Sequence, residues 1–482
     1  MKNTKKTTAL VTLLGAILIL SFTSQIAYAS TTILNSSTCP TLGGTWNSKT
    51  NTCVISTYTL ASPNVLVIET GITLRVTGTL TINGGTINSN GTLVDQGKII
   101  NNVGGVIDNE FGGAIRDYPK GTLINNGGAN LYNNGTIFVS NVLINNNGGT
   151  FTNQNHGIVY DKGEFRNNVG GTVTNDYVLL VIGTVSNSGT INNVGTAYNF
   201  GLIWNAGGTI NNVLGAIVNN YRVGTIINNL GGSITNNGAI VSSGAISSRG
   251  SVFNAGTGTI TSTGTFYSPG ALTNGGTIVI SGVLTGSGPV SNSGVINDNG
   301  NIITTGSVTN TGTISVTGSF ETIGSTTNTG SIINSGVFSN SGTLTNGGSG
   351  TLSSSGTFNN YGSLLNSGSI ASTGLIHDPG TLTNSVGGVI TNSGTFYSAG
   401  TNSNSGSITN AAGGSIVITE VGSLTNNSGG TITNSGVYFN HGTTTDDSGS
   451  TYINNGIIFN PGTLTNLPGS TFTNHGVIFP WG

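Results

Sequence analysis

The chain has 482 residues, 80 of them Gly, with 5% charged residues and a formal net charge of −2. Charge this sparse excludes nucleic-acid binding, which requires basic residues to displace counterions, and a polybasic membrane patch. The length exceeds the ~300 residues that one ordinary globular core supports, and the strict phasing of Ile, Leu, Val and Phe excludes a disordered tract.

The first predicted element is a secretory signal peptide over residues 1–29. Lys2, Lys5 and Lys6 make a basic start, residues 9–22 are apolar, and Ala27-Tyr28-Ala29 forms a small-residue cleavage site. The apolar run is shorter than the ~20 residues a spanning helix needs. No second run of that length follows, so the mature chain is expected to be secreted and to lack a transmembrane segment. Without those three lysines, the 12 Lys and Arg fall to 9 against 14 Asp and Glu, a net of about −5. No Lys or Arg follows Arg249.

Residues 30–60 come next and hold both cysteines, Cys39 and Cys53, in STCPTLGGTWNSKTNTCVIS. Two cysteines in an exported chain predict one disulfide, and closing so short a loop contributes ~3 kcal/mol locally. Metal binding is disfavoured because no Cys or His partner lies nearby. With Trp46 inside the loop, this segment reads as a disulfide-pinned leader and cap.

Residues 61–482 repeat one phrase: Gly, Thr or Ser, an apolar residue, a polar residue, and often Asn. A fixed period of this kind predicts a solenoid. Ser423, Thr443 and Thr463 begin equivalent rungs, and the last rung divides as TLTNLPGS, TFTNHG and VIFPWG. Between Ala271 and Thr343 the rungs shorten to three groups of six, such as ALTNGG, TIVISG and VLTGSG. The reading is an all-β, single-stranded parallel β-helix with three sides and 18–20 residues per rung, in which one corner takes an optional two-residue insertion. Strand side chains alternate faces, so Leu464 points in while Thr463 and Thr465 point out. One inward apolar residue per side builds a narrow core on a ~4.8 Å rung spacing, and about 21 rungs reach ~100 Å. Gly and Asn mark the corners because both tolerate positive φ. Asn384, Asn426 and Asn466 recur at one corner, where they are expected to form a ladder along the axis. Residues 60–250 follow the same plan with insertions, and Arg116, Asp117, Lys120, Asp161, Lys162, Glu164 and Arg166 cluster there as expected surface ion pairs.

The phrases SNSGTINN, TNSGTFYSAG and NNGTIF resemble the repeats of secreted parallel β-helix adhesins of the filamentous haemagglutinin kind, over residues 65–482. That resemblance implies a right-handed three-sided helix acting in surface attachment or as an extended stalk. Groups of six also resemble left-handed hexapeptide helices, which leaves the handedness open.

No catalytic constellation rises above the repeat. Asp446 and Asp447 are adjacent, so they face opposite sides of a strand, whereas paired carboxylates for glycoside cleavage must converge at ~5–9 Å. A weak Ca²⁺ site at this pair is disfavoured, and no cofactor or metal is expected. His156, His377, His441 and His475 share no register and read as turn residues. Two outward features are candidates for binding. The first is a Thr face on the first side, carried by Thr343, Thr345, Thr381, Thr383, Thr463 and Thr465, and interrupted at Ser363 and Leu365. The second is an apolar column on the third side of the last three rungs: Val437, Phe439, Ile457, Phe459, Val477 and Phe479. Such a patch marks an interface. The function expected is a non-enzymatic structural or adhesive role at the cell surface, with self-association or with another surface protein or polysaccharide as partner. The alternatives are a carbohydrate-active β-helix enzyme, and ice or glycan binding on the Thr face.

Overall fold

The computed structural model describes residues 29–480. Apart from Ala29, the expected signal peptide lies outside them. Among the described residues no helix is long and apolar enough to cross a membrane.

Short parallel strands, mostly of four residues, wind into three columns. The first side stacks 22 strands, from Thr31–Ile33 through Val65–Ile68 and Asn130–Asn133 to Thr463–Asn466. The second side runs through Thr92–Asp95, Ala114–Asp117 and Thr136–Val139 to Thr471–Asn474, and the third through Lys98–Asn101 and Thr122–Asn125 to Val477–Pro480. Each strand pairs in register with the strand one rung away: Ser423 with Thr443 and Thr443 with Thr463. Leu272, Val290, Val308, Thr326 and Leu344 are successive partners in the short-rung segment. The chain is thus an all-β parallel solenoid with the expected three sides; its rungs, 18 residues from Leu272 to Val290 and 20 from Thr443 to Thr463 as expected, lengthen to 24 from Lys98 to Thr122 and from Ser407 to Thr431.

The segment expected as a cap contributes strands of its own. Thr31–Ile33 pairs with Val65–Ile68, and Thr52–Ala61 pairs with Thr73–Asn83, both strands bending through a corner near Ser56 and Gly78. The Cys39–Cys53 disulfide, with Cα atoms 5.7 Å apart, ties a short 3₁₀ turn to the hairpin in which Trp46 faces Cys53. Leu34, Leu42 and both cysteines bury against the first coil residues.

Two details depart from the sequence reading. Beside the one inward apolar residue expected on each side, the four-residue strands turn a second, mostly polar residue inward. In Thr122–Asn125, Leu123 and Asn125 are both buried while Thr122 and Ile124 face out half-exposed. Asn therefore lines all three corners, each time at the fourth strand position. The second departure concerns glycine. Positive φ is confined to a minority of glycines, mainly in four-residue corners, such as Gly148 at 74°. In the two-residue corners the demand is space: a Cβ on Gly312 would collide with the carbonyl oxygen of Gly294 one rung back. Four-residue corners also occur after every side, for example at residues 110–113, 118–121 and 126–129, rather than at one corner only. Where the others place Gly, His156 holds φ at 80° and packs edge-on against Phe111.

The core is a file of single residues per side. Phe320, Phe338 and Phe358 stack inward on the third side with ring centres 5.4 and 5.2 Å apart. Packing loosens around Ala197, where an enclosed apolar cavity of about 40 Å³ runs between Leu179, Val218 and their neighbours.

Candidate functional site

Because the inward positions are consumed by the core and by Asn, any function falls to outward positions and corners. The inward Asn residues link into ladders. Within a ladder each Nδ2 donates to the Oδ1 of the next Asn and also reaches backbone carbonyls, and where Ser takes the next position, as at Ser242 and Ser354, the Oγ accepts instead. Asn125 donates to Asn145 Oδ1 at 2.8 Å and to Thr150 O at 2.9 Å. After the first side the ladder is unbroken from Asn109 through Asn133, Asn292 and Asn366 to Asn426 and Asp446.

Asp446 ends that ladder. It accepts from Asn426 Nδ2 at 2.9 Å and from Ser450 Oγ at 3.4 Å, and burial raises its carboxyl above the ordinary range. Asp95, Asp117, Asp161, Asp298 and Asp378 occupy equivalent inward positions. Burial, the leading cause for each, raises Asp95 to about 6, Asp117 to about 7 and Asp161 to about 7. These acids are corner-lining groups. The expected surface ion pairs reduce to Glu164 with Arg166 at 2.6 Å, the ion pair found among the described residues. Asp117 and Asp161 face inward instead of pairing with the adjacent lysines, because the fourth strand position points into the coil.

The third-side column lies where the outward alternation places it. Val437, Ile457 and Val477 are successive partners, as are Phe439, Phe459 and Phe479. The three rings stack nearly parallel at 5.0 Å centre to centre, so each covers part of its neighbour. Tyr438 and Ile458 point inward and are fully buried. The column continues towards the N-terminus through Val417, Tyr397 and His377, which extends it beyond the three rungs read from sequence. Tyr361 stands edge-on to His377 at 5.9 Å.

The candidate Thr face is also in register. Thr343 and Thr345, Thr381 and Thr383, and Thr463 and Thr465 occupy outward positions of one column. The column passes through Ser363 and Leu365, then Thr401 and Ser403, and Leu365 interrupts its hydroxyl surface.

Sequence reasoning missed a second set of outward side chains, on the second side of the N-terminal half. Arg116 lies 5.2 Å from the ring centre of Phe138, Phe138 packs on Tyr160 at 5.9 Å, and Lys162 lies 5.2 Å from Tyr160. The insertions in this half make rungs of 22 residues, which hides the register. Aligning the third position of AIRD, TIFV and IVYD would have exposed it.

The family described as haemagglutinin repeat matches residues 46–116, 118–155, 205–268, 268–336, 322–377 and 366–436. No curated protein matches. Among solved structures, the chain is similar to the crystal structure of a TibC-catalysed, hyper-glycosylated fragment of TibA, with 18% identity, 76% of this chain and 99% of that chain covered, and a TM-score of 0.14.

Proposed function

Since the chain belongs to the haemagglutinin-repeat family, we propose that it is an exported, non-catalytic adhesive shaft. It holds binding surfaces away from its point of attachment at the cell surface or in the surrounding matrix. The observation that carries this reading is the use made of the chain's acids. Six aspartates that a carbohydrate-active enzyme would point outward are turned into the coil as corner groups: Asp95, Asp117, Asp161, Asp298, Asp378 and Asp446. The outer walls are built instead from strand residues repeating in columns, and residues 30–60 serve as the disulfide-tied cap of the first coil.

In this reading the third-side column of the last rungs is an association surface. Phe479 and Val477 stand nearly half exposed, at 44% and 47%. An apolar column several rungs long, with no segment over it among the described residues, is the kind of patch that marks an interface. The test is light scattering of the secreted chain beside a variant carrying Phe439→Ser, Phe459→Ser and Phe479→Ser. Larger particles for the parent than for the variant are expected. Equal particle sizes for both would remove the association surface.

A further inference from the structure

The charges of the N-terminal half are sorted onto different edges of the coil. Lys120, Lys162 and Arg222 lie at the corner that follows the second side. Arg116 projects outward from the second side, Lys98 projects outward from the start of the third, next to that corner, and Arg166 projects from the third position of the same side. Arg75, half-buried, begins the same file. Only Lys49, in the capping hairpin, and Arg249, at the corner after the third side, lie elsewhere among the described residues. The outward acids stand on the other edge: Asp108 on the first side, with Glu69, Glu110 and Asp176 at the corner after it. On the basic edge the outward acid is Glu164, half-buried and held by Arg166 at 2.6 Å. Asp95, Asp117 and Asp161 sit behind the wall, where burial favours their neutral form.

Aromatic rings share the basic edge. Beside the Arg116–Phe138–Tyr160–Lys162 file, Phe200 and Tyr221 stack at 4.1 Å and 6°. Trp204 stands out from the third side at 42% exposure. A groove of about 390 Å³ opens on this edge between Thr77, Gln96, Tyr118, Pro119 and Lys120.

We propose that this edge binds an anionic polysaccharide laid along the coil axis. The chemistry of the edge selects that occupant. From Arg75 to Arg222 the file crosses seven strand pairings, or ~34 Å at the sheet spacing. Positive charges strung out over that distance match a linear polymer with repeating carboxylate or sulfate groups. They do not converge on one point as a small-anion site requires. Rings held between the cations offer faces for the C–H side of sugar rings, and a ring beneath a cation fixes where its charge sits. A nucleic-acid duplex calls for a broad basic face, whereas these residues form a narrow file with acids on the neighbouring edge.

This goes beyond the association reading, and the light-scattering result on the Phe column does not bear on it. The test is biolayer interferometry of the purified chain against immobilised polygalacturonate, dextran sulfate and neutral dextran across a salt series. Binding to the two polyanions but not to dextran is expected. A variant carrying Arg116→Gln, Lys120→Gln and Lys162→Gln should bind at least about tenfold more weakly, with a shallower salt dependence. Lys49→Gln with Arg249→Gln should bind as the parent does. Phe138→Ser with Tyr160→Ser should weaken polygalacturonate binding and leave the salt dependence in place. No binding of the parent to either polyanion overturns the proposal. So does equal loss in the Lys49 and Arg249 control, or tighter binding to a single-stranded oligonucleotide than to polygalacturonate. If the triple variant fails to fold, the parent's salt series and the single Lys120→Gln variant decide the question.

Discussion

The corner after the first side and the corner after the second are built on the same strand geometry, yet they are lined differently. After the first side, Asn follows Asn without interruption from Asn109 to Asn426. After the second, successive rungs present Asp95, Asp117, Val139, Asp161 and Val181 before Asn199 and Asn220 form a link, and the link ends at Ser242. The difference teaches what the fourth strand position requires. An Asn both accepts and donates, so it passes the pattern to the next rung while its Nδ2 satisfies corner carbonyls. An ionised Asp only accepts. Where Asp117 takes the position, Asn141 from the next rung compensates: its backbone N–H donates to Asp117 Oδ2 at 2.8 Å, and its Nδ2 donates to Gly121 O at 2.7 Å. A corner tolerates many residues, but a ladder tolerates only Asn in its middle.

The largest expected effect comes from breaking the long ladder. Asn292→Leu removes the acceptor of Asn274 Nδ2 and the donor to Asn310 Oδ1, and it also strips Thr313 O of a donor. Several buried polar groups left unpaired cost ~1–3 kcal/mol each before relaxation. The variant should therefore lose on the order of 3 kcal/mol or more, read as hydrogen-exchange protection lost around residues 274–313. Asn334→Leu at the second corner should cost less. Its ladder is a single link to Ser354, and its own Oδ1 already lacks a donor. Equal losses at the two sites would mean that ladder continuity adds nothing.

How much of this was legible follows from the same residues. The alternation in TLTN placed Leu464 inside and Thr463 and Thr465 outside, and spacing alone aligned Ser423, Thr443 and Thr463. Those two signals define the three-sided coil. Alternation also puts Asn466 on the same face as Leu464, but turn chemistry explains an Asn before Gly equally well. The ladder was accordingly expected at one corner, and its spread to three needed the register of every side. The Phe439, Phe459 and Phe479 column was readable because the last rungs are regular. The Arg116, Phe138 and Tyr160 file was not, since insertions shift its members to a 22-residue spacing.

The next effect concerns charge. Burial raises Asp117 to about 7, reinforced by neighbouring Asp95 and opposed by backbone N–H donors. Asp161 is raised to about 7 by burial, with Glu164 adding to it. A carboxyl raised above its unfolded value of ~3.9 stabilises the fold fully at acid pH and loses that contribution as pH climbs through its folded value. The N-terminal half should therefore weaken as pH rises from about 4 to about 7 and level off above that, by roughly 1–2 kcal/mol per pH unit for each acid. Asp117→Asn should flatten the decline, as read by thermal melts across that range, and a melt that instead strengthens towards pH 8 would contradict the assignment. Val139→Asn sharpens the point: both oxygens of Asp161 lack partners, and a donor one rung before them should add stability at pH 8.

The smallest effect tests the same rule on a pair of inward tyrosines. Tyr438 on the third side and Tyr452 on the second are both fully buried, with rings 5.9 Å apart and edge-on. The Tyr438 hydroxyl bonds Thr444 Oγ1 at 2.6 Å, whereas the Tyr452 hydroxyl has no partner. Removing a paired hydroxyl costs ~1 kcal/mol, while removing an unpaired buried one recovers part of its desolvation penalty. Tyr438→Phe should lower stability by about that amount, and Tyr452→Phe should leave it unchanged or raise it by up to ~1 kcal/mol. Chemical denaturation of the two variants beside the parent reads the difference. A loss at Tyr452 as large as at Tyr438 would show that an inward polar group here is held by something other than its partner.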